Sequence, residues 1–259
     1  APGGAVSHPL REGRLGVVKK TVLVTGASGA IGRAIALAFA PKGYRVAVHY
    51  HTRREEALAA VEEIRGNGGW AEAFGADLTQ EEQVTRLFDQ AERALGKIRV
   101  LVNNAGVAWQ GLLTDMSLSE WRRVLDGDLT SAFLCCRRAL PGMIRERSGC
   151  IVNISSMWGQ QGASCEAAYS AAKAGLIGLT KALAQEEGPS GVRVNCIAPG
   201  LIDTPMNSHL SPADLEALRE ETPLLRIGTP EDVAEAAVFL AESPFITGQV
   251  LGVNGGFVL

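Results

Sequence analysis

Thr21-Val-Leu-Val-Thr-Gly-Ala-Ser-Gly-Ala-Ile-Gly32 is the stretch that decides the fold. Thr21–Thr25 is a short apolar, β-branched run, the pattern of a buried strand. Gly26, Gly29 and Gly32 follow at intervals of three, and Ile31–Ala40 then carries helical spacing. A strand that turns on small residues into a helix lets the backbone approach a ligand closely. The helix N-terminus at that point favours an anion such as a pyrophosphate. Glycines at this spacing also occur in plain tight turns; their place after a first strand is what points to a dinucleotide site.

Outward from this turn the pattern repeats. Tyr44–Tyr50, Ala71–Ala76, Val100–Val102, Cys150–Ile154, Val192–Ile197 and Gln249–Val253 read as further strands. Between them lie helical patterns over Arg53–Arg65, Glu81–Leu95, Ala167–Glu187 and Pro230–Ala241, with a long helical stretch from Leu118 to Arg147 broken near Gly127. About seven strands alternating with helices imply βαβ units and a parallel sheet. The expected fold is α/β: a single doubly wound domain over residues 19–259, preceded by a mobile Gly/Pro/Arg-rich tail over residues 1–18 without a secretory h-region.

The chain has 259 residues, 46% of them hydrophobic and 20% charged, enough apolar material for a sizeable core. A net charge of −3 argues against a general nucleic-acid or membrane-surface binder. No apolar run approaches the ~18–20 residues that span a bilayer. Cys135, Cys136, Cys150, Cys165 and Cys196 are odd in number and form no Cys-x-x-Cys pair, which fits a reducing, cytoplasmic setting, with the mitochondrial matrix or a plastid as eukaryotic alternatives. His8, His49, His51 and His209 are scattered. His49 and His51 share one strand face, but no third ligand accompanies them, so no metal site is expected.

Two further features carry chemistry. NAD sites place an acidic residue roughly 20 residues after the glycine turn, to bind the ribose hydroxyl. From Arg33 to Arg54 there is none; His49, His51, Arg53 and Arg54 stand there instead. Cations attract a 2′-phosphate, so NADP(H) is expected over NAD(H), unless the arginines merely start a solvated helix. Second, Tyr169 and Lys173 in Tyr-Ser-Ala-Ala-Lys lie one helical turn apart on one face. An ammonium beside a phenol favours the phenolate and is expected to lower the phenol pKa from its usual value of ~10. Ser156 stands upstream at a strand C-terminus, the edge that carries the ligand crevice in an open parallel sheet.

With these pieces together, the chain resembles the short-chain dehydrogenase/reductase family from about Lys20 onward. The matching motifs are the glycine turn, Asp77-Leu78, Asn103-Asn-Ala-Gly106, Ser156, Tyr169-x-x-x-Lys173, Pro199-Gly200 with Thr204, and Ile246-Thr-Gly-Gln249. Within the family it looks most like the 3-oxoacyl-[acyl-carrier-protein] reductase branch. The resemblance implies that Tyr169 is the general acid, that Lys173 lowers its pKa and holds the nicotinamide ribose, and that Ser156 polarises the substrate carbonyl. It implies cofactor contacts at Gly26, Ser28, Gly29, Ile31, Gly32, His51, Arg53, Asp77, Leu78, Asn104, Ala105, Gly106, Pro199, Gly200, Ile202 and Thr204, besides Tyr169 and Lys173. It also implies a homotetramer.

Two positions depart from the family. Ala30 replaces a usual glycine, tolerable where φ is negative. Asp128 replaces the asparagine of a catalytic tetrad, whose backbone carbonyl holds a water linking the lysine to solvent. Aspartate keeps the carbonyl but adds charge beside Lys173, and slowed rather than abolished turnover is expected. On the substrate side, residues 201–223 read as a lid, with Ser211 and Pro212 starting a short helix. Met206, Leu210, Trp109 and Trp158 are candidates for an apolar wall, or for ordinary packing.

Acyl carrier protein is acidic, and the resembling branch meets it with two arginines. Arg147 matches one; Ser190 stands at the other, with Arg193 close by. Arg137, Arg138, Arg145 and Arg147 also fit a solvated or subunit-facing helix surface. Three readings follow: an NADPH-dependent 3-oxoacyl thioester reductase, a reductase or dehydrogenase of another ketone or secondary alcohol (steroid, sugar or xenobiotic carbonyl), and a cofactor-binding protein of low turnover.

Overall fold

Every apolar run of the sequence forms one strand: β1 (Thr21–Val24), β2 (Arg45–Tyr50), β3 (Trp70–Gly75), β4 (Ile98–Asn103), β5 (Gly149–Ile154), β6 (Val192–Pro199) and β7 (Val250–Val253). The computed structural model describes residues 20–207 and 210–258. The tail expected over residues 1–18, His8, His209 and the Met206 side chain lie outside the described residues. The strands form one sheet in the order β3-β2-β1-β4-β5-β6-β7, and all pairings are parallel. β4 and β6 run longer than their apolar cores, because ladder pairing with neighbours recruits Ile98, Asn103 and Pro199.

Side chains alternate across the sheet with the two-residue period of a strand. Val22, Val46, Val100 and Val152 enter the core layer under α1 (Ala30–Phe39), α2 (Arg54–Gly66) and α9 (Pro230–Glu242). Leu23, Ala47, Leu101 and Ile151 enter the opposite layer, under α3 (Glu81–Leu95) and α5 (Ser131–Arg145). The order reverses at β1, which has β2 on one side and β4 on the other. The two halves of the sheet splay their loops apart there and leave a crevice at the strand C-termini.

The stretch from Leu118 does break near Gly127, but it does not stop. α4 (Leu118–Leu125) passes through a π-helical turn, Asp126–Thr130, into α5, with αR backbone at both junctions. The wide turn points Asp128 inward and buries it. A further short helix, α6 (Met157–Gln161), has no counterpart in the sequence pattern; Ser156 caps it by accepting the Trp158 N–H at 3.1 Å. α7 (Ala167–Glu187) carries Tyr169 and Lys173, and α8 (Pro212–Glu221) starts with a capping box from Ser211 and Asp214 behind Pro212. All five cysteines are free thiols.

Two glycines of the first turn are dictated by space. Gly26 has φ +63, and a Cβ there would lie 2.8 Å from the Ala105 Cα. A Cβ on Gly32 would lie 2.5 Å from both Asn104 Nδ2 and the Gly26 carbonyl. Ala30 is the first residue of α1, outside the left-handed region, so its methyl is accommodated. Gly32→Ala should therefore lower unfolding stability by about 1–3 kcal/mol, the usual cost of overpacking, measured by urea titration.

Candidate active site

The ends of β1 and β4 are stitched together by side chains. Thr25 Oγ1 accepts the backbone N–H groups of Asn104 (2.9 Å) and Ala105 (3.0 Å). Asn104 Nδ2 donates to the Thr25 carbonyl at 2.9 Å and to the Gly26 carbonyl at 3.2 Å. The glycine turn is thus clamped from below. From the side it is held by His49, whose Nδ1 accepts the Gly26 N–H at 3.0 Å while Nε2 faces the Ala76 carbonyl at 3.0 Å. The acceptor role of Nδ1 places the ring proton on Nε2. Burial pushes the His49 pKa down to about 4. This corrects the expectation that His49 helps attract a phosphate: it is a neutral strut in the turn.

Above the clamp, the N-terminus of α1 has no side-chain cap and no acidic residue in its first turn. Its first N–H groups are left for an external acceptor, and the cradle fits the pyrophosphate of a dinucleotide. Gly26, Ser28, Gly29, Ile31 and Gly32 line one end of a single cavity of about 1100 Å³. His51, Arg53, Asp77 and Leu78 form its next wall. Arg53 Nη2 would lie 3.2 Å from a Cβ on Gly29, so its guanidinium stands directly over the turn. Arg54 does not line the cavity and pairs with Glu55 on the surface. Asn104, Ala105 and Gly106 form the floor, and Pro199, Gly200, Ile202 and Thr204 face them.

Ser156, Tyr169, Lys173 and Asp128 line the middle of the same cavity. Lys173 Nζ donates to the Ile154 carbonyl at 3.2 Å and lies 5.4 Å from the centroid of the Tyr169 ring. The Asp128 carboxylate meets it at 3.1 Å, with Asp128 1% and Lys173 4% exposed. The other Asp128 oxygen accepts the Val107 N–H at 2.6 Å. Burial pulls the Lys173 pKa down, but the charges of Asp128 and Tyr169 outweigh it and hold the ammonium above its usual value. For Tyr169 burial dominates and raises the pKa; Lys173 and a Ser156 hydrogen bond lower it, while Asp128 and Glu166 raise it. Lys173 thus acts on Tyr169 in the expected direction, but removal of the phenol from water outweighs it.

Ser155, Asn153 and Thr180, which support the site, belong to none of the sequence motifs. Ser155 Oγ donates to the Lys173 carbonyl at 2.8 Å and ties β5 to α7. Asn103 Nδ2 donates to Asn153 Oδ1 at 2.8 Å, and Asn153 Nδ2 to Thr180 Oγ1 at 2.9 Å, in the core beneath. Polar residues at the ends of otherwise apolar strand runs are the available sign: Thr25, His49, Asn103, Asn153 and Ser155 all share it.

At the open end, Trp109, Trp158 and Leu210 line the cavity. Trp109 donates to Glu120 at 3.0 Å, and Trp158 packs edge-on against Phe257 with ring centroids 5.8 Å apart. Arg137 pairs with Glu81, and Arg138 with Asp89 and Glu92, so both bridge α5 to α3. Among the described residues, no group of three or more His, Cys, Asp or Glu could hold a metal, and no helix is long and apolar enough to cross a membrane.

Comparison with known proteins places these features in a family. The family model described as enoyl-(acyl carrier protein) reductase matches residues 26–258. A 3-oxoacyl-[acyl-carrier-protein] reductase of Staphylococcus aureus is 43% identical over 242 residues, covering 93% of this chain and 98% of its own. One from Synechocystis is 43% identical over 243 residues, covering 93% and 97%. The crystal structure of a protein from Agrobacterium tumefaciens, proposed to be a gluconate dehydrogenase, superimposes with a TM-score of 0.89 at 35% identity, over 93% of this chain and 97% of that one.

The His49 strut has a consequence for stability. Its folded pKa of about 4 lies below the unfolded value of ~6.5, so between these values the unfolded chain binds the extra proton. Stability from this group is complete above about pH 6.5 and is lost as pH falls toward 4, by about 3 kcal/mol in all. Urea unfolding at steps from pH 7 to pH 4 should show this loss, and His49→Gln should show less of it.

Proposed function

The chain belongs to the short-chain dehydrogenase/reductase family and is an oxidoreductase acting on the CH–OH/C=O couple, and on that premise we propose that it reduces a 3-oxoacyl thioester to the 3-hydroxyacyl form, with NADPH as the reductant and Tyr169 as general acid. The observation that carries the reading is the single cavity joining the uncapped α1 N-terminus to Ser156, Tyr169 and Lys173. A nicotinamide nucleotide, when bound, supplies the hydride that reaches the carbonyl carbon.

The chain's own residues do the rest. The glycine turn and α1 hold the pyrophosphate. Asn104, Ala105, Gly106, Pro199, Gly200, Ile202 and Thr204 enclose the nicotinamide half, and Asp77 with Leu78 borders the adenine. Arg53 and His51 bind the 2′-phosphate; no carboxylate between Arg33 and Arg54 opposes it. The Ser156 hydroxyl donates a hydrogen bond to the substrate carbonyl and offsets its developing charge. Tyr169 Oη gives its proton to the same oxygen, and the Lys173 ammonium stabilises the phenolate that forms. The segment 201–223, with α8, closes over the substrate and excludes water. Phe133 and Ile144, partly exposed apolar residues of α5, support self-association into a homotetramer.

The relatives named for carrier-bound substrates support acyl carrier protein as the substrate's bearer. A second reading, another ketone or secondary alcohol, is favoured by the arginines expected at the docking site. Arg193 is spent on the Leu240 and Ala241 carbonyls at 2.7 Å each, and Arg147 donates to the Pro189 carbonyl at 3.2 Å. The A. tumefaciens neighbour points the same way.

NADPH consumption with acetoacetyl-carrier protein, acetoacetyl-CoA and simple ketones decides between these: kcat/KM should be highest for the carrier-bound substrate, and Tyr169→Phe should lose roughly 100-fold or more while still binding the nucleotide. A higher kcat/KM for a free ketone would establish the second reading. Arg53→Glu should lower kcat/KM for NADPH by about 10-fold or more relative to NADH, the scale of a lost charge-assisted hydrogen bond.

A further inference from the structure

Asp128 stands in the wall of the cavity without a part in that chemistry. The architecture does not require its charge. The Val107 N–H at 2.6 Å needs only an oxygen acceptor, and the amide of asparagine would supply one in the same place. What aspartate alone supplies is a negative charge, and it is spent on the Lys173 ammonium at 3.1 Å. A Cβ on Gly106 would lie 3.1 Å and 3.2 Å from the two carboxylate oxygens and 3.2 Å from Nζ, so the pair is packed directly under that glycine. A buried pair of this kind is a weak source of net stability. Its stronger effect falls on the phenol beside it.

A bare ammonium near Tyr169 would favour the phenolate; one paired with a carboxylate does so less. The other charged groups around the two residues do not restore the difference. Glu166, at the start of α7, adds negative charge toward Tyr169. Cys196, on β6, faces Lys173, but burial pushes its thiol up to about 11, so it is neutral at pH 7. Only the Ser156 hydrogen bond works with Lys173 for the phenolate, and burial works against both.

We propose that Asp128 is a positioning residue for the proton: by pairing with Lys173 in a buried contact it adds to burial in keeping Tyr169 a neutral phenol, the form that donates a proton to a carbonyl. The consequence for turnover rests on the reductase reading; the state of the phenol does not. In reduction the proton leaves Tyr169 Oη for the carbonyl oxygen as a hydride from the nicotinamide reaches the carbon. In the reverse direction the alcohol proton must pass to a phenolate, which the Asp128 charge makes scarce.

Tyrosinate absorbance against pH, taken as the difference between the wild-type chain and Tyr169→Phe, isolates the Tyr169 step from Tyr44 and Tyr50. In the wild type it should fall at or above the free phenol's value of about 10, or be absent up to alkaline unfolding. In Asp128→Asn it should move down by about one pH unit or more. The rising limb of kcat/KM for alcohol oxidation should move down with it. A wild-type step below the free-phenol value, or an Asp128→Asn step unmoved or higher, overturns the proposal. If Asp128→Asn does not fold, Asp128→Ser, which removes the charge and keeps an oxygen acceptor for the Val107 N–H, replaces it in the titration with the same outcomes. If no ketone or alcohol is turned over, the reductase reading fails, while the titration still decides whether Asp128 holds the phenol neutral.

Discussion

The structure depends on one junction, the side-chain clamp between the C-terminal ends of β1 and β4. Thr25 Oγ1 receives two backbone N–H groups of the β4 loop, and Asn104 returns two bonds to the carbonyls of the glycine turn. Strand order reverses here, so no third strand continues the ladder above the crevice and backbone polar groups are left without sheet partners. Short polar side chains satisfy them. The same bonds bring Asn104 so close that positions 26 and 32 have no room for a side chain. The glycines are therefore packing requirements of the clamp as well as a ligand cradle.

A second junction lies deeper along the cavity, where β5, the π-turn and α7 meet. Ser155 ties β5 to the Lys173 backbone, Ile154 accepts from the Lys173 ammonium, and the π-turn brings Asp128 against the same group. One extra residue in a helical turn swings a side chain inward that a regular α-helix would point elsewhere. The charge balance of the cavity is set by that irregularity. It places three ionisable groups within reach of each other in surroundings of low polarity, where their mutual effects are large.

The buried histidine illustrates how misleading residue type can be without position. His49 and His51 are separated by one residue and look alike as candidates for binding an anion. Both border the cavity, but His49 is in the ladder of β2, buried between the glycine turn and Ala76, and is neutral, whereas His51 is past the strand end and exposed. Arg53 and Arg54 divide in the same way, one over Gly29 and the other turned to Glu55 at the surface. In each pair a short step along the chain changes the partners of the side chain.

Local pattern by itself determined the strands, most helices, the parallel sheet and the glycine turn, because period-two and period-3.6 burial and glycine at a strand-to-helix turn are near-neighbour effects written in the chain; the identity of most residues that share the cavity came from the family resemblance. The π-turn at Gly127 was legible only as a break, and α6 was not legible at all, since one turn capped by Ser156 has too few residues to show a period. Charge states were decided only by the tertiary structure. Asp128 and Lys173 are far apart in sequence, Val107 comes from a third segment, and the burial that dominates Tyr169 is contributed by all of them together. Electrostatic energy depends on distance and solvent exclusion, and neither exists until the chain has folded.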